Sequence, residues 1–570
     1  MDYYYGLTIG PITKTIQKVK ATRELWGASY LFSHLMGQIL AGIKGTEGIT
    51  ILSPAATLPP EAKNLGTGLF PDRMYVKGNA ESGKAIQEII RKVIAEIGEE
   101  IARDLGEKER TEDVQKLLSA YFQTYLVRVQ SETIPMEKLN ELLDVAELRP
   151  PFLMKEPEED RFLEKYFHAI NGSKRKRTAF GEENGEIVSL PEIGVWELAS
   201  DYFSAEAKIA FEKIHGVWLV QQKQTRAWET ELSKTASPDK RKILEKKIRE
   251  NEPEKLLDEL YADKTLKAYL KNYHKYVAII YADGDNIGAT INALNSPDDF
   301  LEFSKKLLDF GVDAAIKIRD FGGFPVYIGG DDLLFFAPVK YKGKSVFTLA
   351  EELSDDFTKS IQTLGLKANS EPSLSFGVSL SYYKFPMHEA LGIAHELLDG
   401  KAKKFPFTSV AETDDDKKLV PKKTLAIRLL KHSGNYFEAI LPMGKGKVWG
   451  VFNKLVEKHL DKSERLLSSV AYKLSQHEAL LHLIGKDAER IHYFFKENFN
   501  ESIHKGAGKA YLDLVENLVV AAYEDADQFQ FPEINPKDDP KHLFSRDEYA
   551  LQTLYSLLRM LHFLNQDYHE

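Results

Sequence analysis

The chain contains no cysteine among its 570 residues, which excludes disulfides, thiolate zinc sites and cysteine nucleophiles. No run of eighteen apolar residues occurs, so no segment reads as a membrane-spanning helix. The N-terminus, MDYYYGLTIG, lacks a basic segment followed by an apolar one. No secretory leader is therefore expected, and a cytoplasmic location is the default. Positive charge is also short: 76 Lys and Arg face 86 Asp and Glu, for a net charge of −10. That balance argues against a protein that grips nucleic acid by bulk electrostatics. The local basic runs, SKRKR (173–177), KAKK (401–404) and the KK pairs at 417–418 and 422–423, read as solvated loops or helix ends. The length calls for more than one core, and 43% hydrophobic with 28% charged residues is the composition of a soluble globular protein.

What the chain does have is an unusual hairpin. YIGGDDLLFF, residues 327–336, reads strand, turn, strand. An Asn-Gly pair would make a cheaper turn, and two adjacent carboxylates repel unless a cation stands beside them. Such a turn is either solvated or holds a metal ion. The chain around it is patterned. YVAIIYA, from Tyr276, is a buried strand followed by DGDNIGA. A long helix opens on Ser-Pro-Asp-Asp and ends in Gly-Gly. FPVYI and LLFFAPV flank the turn; a second helix, a strand SLSFGVSLSYY, a helix with a basic end and two further strands follow. The order β-α-β-β-α-β is the ferredoxin-like plan, and the fold class is α+β.

Elsewhere the pattern is coarser. YYYGLTIGPI reads as a strand closed by Gly10-Pro11, with helical spacing after it, and RMYVKG as another strand. Residues 84–128 and 155–169 read as helical, with GEIVSLPEIGV an extended interruption. The Lys- and Glu-dense stretch 196–270 reads as an exposed helical region in which Trp196 and Trp218 anchor a core. From about 447 onward helical spacing continues with few turn signals, a helical bundle. The expected domains are 1–195, 196–272, 273–446 and 447–570.

In a ferredoxin-like sheet the first and third strands are central neighbours. Asp283, at the end of the first, should then lie beside Asp331 and Asp332, in the turn before the third. Three converging carboxylates form the oxygen-rich setting that Mg²⁺ or Mn²⁺ prefers, and two such ions can serve nucleotide transfer. Gly329 and Gly330 let the hairpin turn tightly and a triphosphate approach; Gly284 and Gly288 leave room above the first strand. Lys403, with Lys401 as its rival, could reach phosphate oxygens or neutralise a helix C-terminus. Two motifs read as decoys. Gly78 to Ala85 has P-loop glycine and lysine spacing, but Ala85 stands where a hydroxyl should hold Mg²⁺. His388 and His395 share a helix without a third ligand nearby and read as packing or surface residues.

DGDNIG followed by GGDD resembles the polymerase/cyclase palm in the large signature subunit of type III CRISPR effector complexes. TIGPITKTIQKVKATRELWGASYLFS and LFPDRM resemble the first, degenerate palm of its Cmr branch, and KHSG fits the end of the second palm. The resemblance implies two ferredoxin-like palms, one degenerate, with a helical insertion and a C-terminal helical domain. It implies that Asp283, Asp331 and Asp332 bind the catalytic metals. It implies that Gly284, Asp285, Asn286, Gly288, Gly329, Gly330 and Lys403 border the nucleotide. Relatives join ATP into cyclic oligoadenylates when target RNA is bound; some are thought to join AMP to S-adenosylmethionine instead. The implied partners are the other Cmr subunits, crRNA and target RNA, with no membrane and no zinc. An HD nuclease is not expected, because the chain starts at the first palm and has no His-Asp dipeptide. Two other readings stand beside this one. A stand-alone diguanylate cyclase shares the hairpin, though Leu333 follows GGDD here. A non-catalytic scaffold would not need all three carboxylates.

Overall fold

The computed structural model describes residues 2–16, 21–148, 162–169, 189–235, 237–251, 255–294, 296–365, 371–405, 422–444, 446–458, 463–485, 487–499, 509–528 and 546–567. The basic runs at 173–177 and 417–418 lie outside these residues. Among the described residues no helix is long and apolar enough to cross a membrane.

The N-terminal unit runs β1 (Asp2–Gly10), α1 (Ile12–Ile16), α2 (Thr22–Ile43), β2 (Thr50–Ser53), β3 (Arg73–Gly78), α3 (Ser82–Leu105), α4 (Thr111–Tyr121), β4 (Gln123–Ser131), α5 (Met136–Glu147) and α6 (Phe162–Ala169). Its sheet has the order β2-β3-β1-β4. Helical spacing was expected to continue through residue 128, but β4 pairs antiparallel with all of β1, from Asp2↔Ser131 to Gly10↔Gln123. QTYLVRVQ has the β-branched and aromatic content of a strand; the helical signal belongs to α3 and α4 before it. The P-loop-like segment is a helix start, as expected. The Asn79 side chain accepts from the amides of Glu81 and Ser82, and Lys84 pairs with Glu81 at the surface.

SLPEIGV is not extended. It forms α7 (Leu190–Val195), opened by a capping box in which the Ser189 amide donates to Glu192 at 2.7 Å. The insertion continues as α8 (Ala205–Lys234), α9 (Pro238–Glu250) and α10 (Lys255–Ala262). Trp218 is buried with Phe211 and Leu256 in its small core. Trp196 is half-buried at its edge against His215.

The second palm runs β5 (Tyr276–Asp285), α11 (Ile287–Asn292), α12 (Pro297–Asp320), β6 (Phe324–Gly329), β7 (Asp332–Pro338), a small ladder of β8 (Lys340–Tyr341) and β9 (Lys344–Ser345), α13 (Val346–Gln362), β10 (Ser373–Tyr382), α14 (Met387–Glu396), β11 (Thr424–Leu430) and β12 (Tyr436–Pro442). The sheet order is β12-β11-β10-β5-β7-β6, so β5 and β7 are neighbours, as the ferredoxin-like plan requires. Both strands are apolar up to the end that carries the aspartates, because both faces are covered there. Ala278, Ile280, Phe335 and Ala337 face the core that includes α12 and α13. Val277, Ile279, Leu334 and Phe336 face the core shared with α2 of the first palm and α14. Gly377, at the centre of β10, has no room for a Cβ under Ala394 and Leu398, which lets the chain beyond α14 lie on the strand.

The remaining helices are α15 (Lys447–Glu457), α16 (Ser463–Gln476), α17 (Glu478–Ile484), α18 (Ala488–Asn498), α19 (Lys509–Gln528) and α20 (Arg546–Asn565). The α15 N-terminus is held from a distance. Asp525, fully buried on α19, accepts from the amides of Lys447 at 2.7 Å and Val448 at 3.0 Å. Burial pushes its carboxyl up to about 6. At pH below about 4 it is protonated in folded and unfolded chains alike. As pH rises from about 4 to about 6 the unfolded chain releases the proton first, and the folded state loses up to about 3 kcal/mol. Asp525→Asn cannot titrate. Its thermal midpoint should therefore gain on that of the parent protein across this window; a difference independent of pH would refute the assignment.

Candidate functional site

The GGDD turn is a two-residue hairpin in which Gly329 pairs with Asp332 across Gly330 and Asp331. Gly330 has φ +74° while Asp331 keeps an ordinary φ, the pattern of a II′ turn that favours glycine at its first central position. A Cβ on Gly329 would overlap the Tyr327 ring. The turn thus holds Asp331 at its tip and Asp332 at the first position of β7. Alongside, Ala282 of β5 pairs with Leu333, which brings Asp283 level with the aspartates. A Cβ on Gly284 would lie 2.6 Å from Asp331 Oδ2. Gly284 is therefore needed for β5 and the hairpin tip to approach. Gly288, in the first turn of α11, faces open space.

The other two residues of the motif do different work from that expected. Asp285 is buried. It accepts from Ser373 Oγ at 3.0 Å, Ser375 Oγ at 2.7 Å and the Lys423 amide at 3.0 Å. It locks β5 to β10 and to the strand that follows, and does not open onto the cleft. Asn286 adopts the left-handed conformation at φ 63° and donates its side-chain amide to Glu371 O at 3.2 Å.

Lys403 follows a wide π-type turn, Leu397–Ala402, that extends α14; such turns recur at functional sites. Its Nζ donates to Gly284 O at 2.6 Å and lies 2.8 Å from Asp283 Oδ2 and 3.0 Å from Asp285 Oδ1. Burial pulls its proton affinity down, but the charges of Asp285 and Asp283 outweigh burial and hold the ammonium above the usual lysine value. Lys401 is engaged elsewhere, with Glu438 on β12, which Arg428 also pairs. Of the two lysines, Lys403 is the one that stands at the acidic end of β5.

At the hairpin aspartates the Lys403 charge is outweighed. Burial first and the Asp283 charge second raise Asp331 to about 6. Asp332 is pushed further, by burial, then Asp331, then Asp283. The Asp332 side chain is exposed to water, which screens part of this repulsion. Among the described residues no group of three or more acidic or histidine side chains is arranged to hold a metal ion. The three carboxylates are neighbours and not the converged ligand set that was expected; Asp283 pairs with Lys403 instead. Their chemistry still fits a hard dication: oxygen donors whose mutual repulsion a cation would relieve.

A cavity of about 540 Å³ opens over the site, and both palms line it. From the second palm come Asp283, Asp332, Tyr281 and Tyr327; the first supplies Phe32, Phe70 and Asp72. Asp331, the glycines of the turn and Lys403 are not among its lining residues. His388 and His395, read as packing or surface residues, stand on the cavity wall. The His395 ring meets Tyr281 edge-on, and its Nδ1 lies 3.4 Å from Asp399. No sequence signal marked Asp72 or this wall. The partner palm is hundreds of residues away, and a single aspartate in LFPDRM carries no motif.

A family model described as Cas10/Cmr2, second palm domain, matches residues 276–407, and one described as CRISPR-associated protein Cmr2, N-terminal, matches residues 4–103. The chain is 28% identical over 241 residues to the CRISPR system Cmr subunit Cmr2 of Pyrococcus furiosus; the match covers 38% of this chain and 24% of that relative. Its fold is similar to the type III-B Cmr-beta structure in the apo state (TM-score 0.48, 12% identity, 98% of this chain and 82% of that one). It is similar also to the Csm1-Csm4 cassette in complex with cA4 (TM-score 0.46, 10% identity, 99% and 70%).

The unequal roles of the two lysines can be measured. Lys403→Met leaves Asp285 buried without its cation and should cost about 3–5 kcal/mol in denaturant unfolding. Lys401→Met should cost about 1 kcal/mol, because Arg428 Nε remains 2.7 Å from Glu438. Equal losses would overturn the distinction.

Proposed function

We propose that this chain, a member of the Cas10/Cmr2 large-subunit family, is the nucleotidyltransferase subunit of a crRNA-guided type III-B (Cmr) complex, making a second messenger from ATP. The observation that carries the reading is the II′ hairpin holding Asp331 and Asp332 beside Asp283, within the residues that the second-palm model matches. In the reaction a 3′-hydroxyl oxygen forms a bond to the α-phosphorus of ATP, and the bond to pyrophosphate breaks. Held by Asp283, Asp331 and Asp332, Mg²⁺ or Mn²⁺ would supply Lewis acidity to the hydroxyl and neutralise charge on the phosphates. The chain's own part is positional. Gly329 and Gly330 keep the hairpin tip slim, so phosphates can approach its backbone, and Gly284 and Gly288 clear the space above β5. Lys403 holds Asp283 in place and lends one positive charge to the phosphate side of the site. Cyclic oligoadenylate is the product favoured by family.

One observation favours a second product. The cavity carries five carboxylates, Asp72, Asp283, Asp332, Glu396 and Asp399, and no lysine or arginine among the described residues. That wall suits a cationic acceptor better than a second triphosphate. The sulfonium of S-adenosylmethionine is such a cation, and its conjugation to AMP uses the same attack on an α-phosphate.

With a net charge of −10, the chain depends on the other Cmr subunits, crRNA and target RNA for recognition. Asp331→Ala with Asp332→Ala should abolish product while the complex still assembles. Mass spectrometry of the assembled complex, given ATP with and without S-adenosylmethionine and with and without target RNA, reads both product and switch. Each tenfold of RNA activation corresponds to about 1.4 kcal/mol of differential binding. Wild-type product from the double variant would sink the reading; full RNA-independent turnover by the lone chain would favour a stand-alone cyclase.

A further inference from the structure

The second palm borders another cavity, at the end of its sheet away from the aspartates. β11 starts beside the catalytic end, where the Lys423 amide meets Asp285, and runs for seven residues, about 23 Å. It ends at Lys431, the first residue of the KHSG turn. Here the β11–β12 turn faces α20 across a cavity of about 440 Å³, within the range of small-ligand sites, about 300–1,000 Å³.

Its charge is the reverse of the catalytic cavity's. Lys431 and Arg559 line it and no carboxylate does, in a chain whose net charge is −10. Neither cation has an ion-pair partner among the described residues. Arg559 donates to Tyr555 Oη at 2.8 Å, but its Nε is buried with no hydrogen-bond partner. It stands more than a turn before the end of α20 at Asn565, so the helix dipole does not account for its charge. Lys431 Nζ lies 5.4 Å and 5.2 Å from the ring centroids of Phe437 and Phe563, contacts that attract a cation without neutralising it. Beside them Tyr436 is 56% exposed. Arg428, itself paired with Glu438, covers one face of that ring at 4.7 Å and leaves the other to solvent.

Two cations without carboxylates, next to an exposed ring face, match a nucleotide: phosphate on the cations, base on the ring. An acidic peptide would use the cations and leave the ring idle. We infer that this cavity binds a nucleotide, its phosphate held by Lys431 and Arg559 and its base stacked on Tyr436. The site is separate from the palm aspartates and does not rest on the nucleotidyltransferase reading. A free nucleotide and one unit of a single strand carry the same chemistry.

The test measures binding by calorimetry to the full chain carrying Asp331→Ala with Asp332→Ala, in EDTA, which silences the catalytic cavity. The probes are AMP, adenosine, pentaadenylate and hexaglutamate. Whichever of AMP and pentaadenylate binds tighter names the occupant, a free nucleotide or a single strand. Adenosine, lacking the phosphate, should bind at least about tenfold more weakly than that ligand. Lys431→Gln, Arg559→Gln and Tyr436→Leu, added singly, should each weaken it about tenfold. Arg559→Lys, which keeps the charge, should recover part of the loss and separates binding from any effect of Arg559→Gln on folding. Failure of both nucleotide probes to bind, equal binding of adenosine, or affinity unmoved by the three substitutions would overturn the inference. So would hexaglutamate binding as tightly as pentaadenylate, which would assign the cations to an acidic protein segment.

Discussion

Lys403 reaches back across the sheet to the acidic end of β5, and the shape of the site depends on that one ammonium. It touches Asp283, Gly284 O and Asp285 within 3.0 Å. Buried ion pairs add little to stability compared with apolar packing, because desolvation consumes most of the attraction. Their effect here is arrangement. Asp285 is committed inward, to Ser373, Ser375 and the Lys423 amide, while Asp283 is left half-exposed at the cleft. One strand end thereby carries one carboxylate locked inside the sheet and one at the cleft, two residues apart. The lysine reaches this position because Gly377 lets the chain after α14 lie flat on β10, and because the π-type turn rotates its last residues.

Much of the second palm was legible because its signals are local. Uniformly apolar strands announced burial on both faces, Ser-Pro-Asp-Asp announced a helix start, and Gly-Gly-Asp-Asp announced a tight turn. The pairing of β5 with β7 then followed from topology. What escaped was of two kinds. Some local signals were outweighed: the Ser189–Glu192 capping box was present in the letters, but the β-branched residues before it suggested extension, and the alternation in QTYLVRVQ was absorbed into a helical stretch. Other features have no local signal. Asp525 caps a helix about eighty residues earlier in the chain, and Asp72 and Asp332 line one cavity only because two palms fold against each other. Asp285 shows the converse error. The resemblance set this motif aspartate at the nucleotide, whereas Ser373, Ser375 and the Lys423 amide hold it inside the sheet.

Degeneracy in the first palm has its own physical logic. The two-residue turn between β6 and β7 is short, with Gly329 paired to Asp332 across it. The first palm instead joins β2 to β3 through residues 54–72, and this longer segment lends Gly68 O to the Ile328 amide of the second palm. Where the second palm has a tight hairpin, the first has a longer connection that forms a seam between the palms. The seam matters because Val277, Ile279, Leu334 and Phe336 line the back of the active sheet. At about 25 cal/mol per Å² of apolar surface, uncovering them would be costly, and α14 shares their cover with α2 of the first palm. The first palm is therefore a lid over the apolar back of the active palm as well as a cleft wall. A mutation in α2 or at Gly68 that loosens the cover should move the wall bearing Asp72 relative to the hairpin. The packing between the palms and the shape of the cavity they share are thus coupled at a single joint.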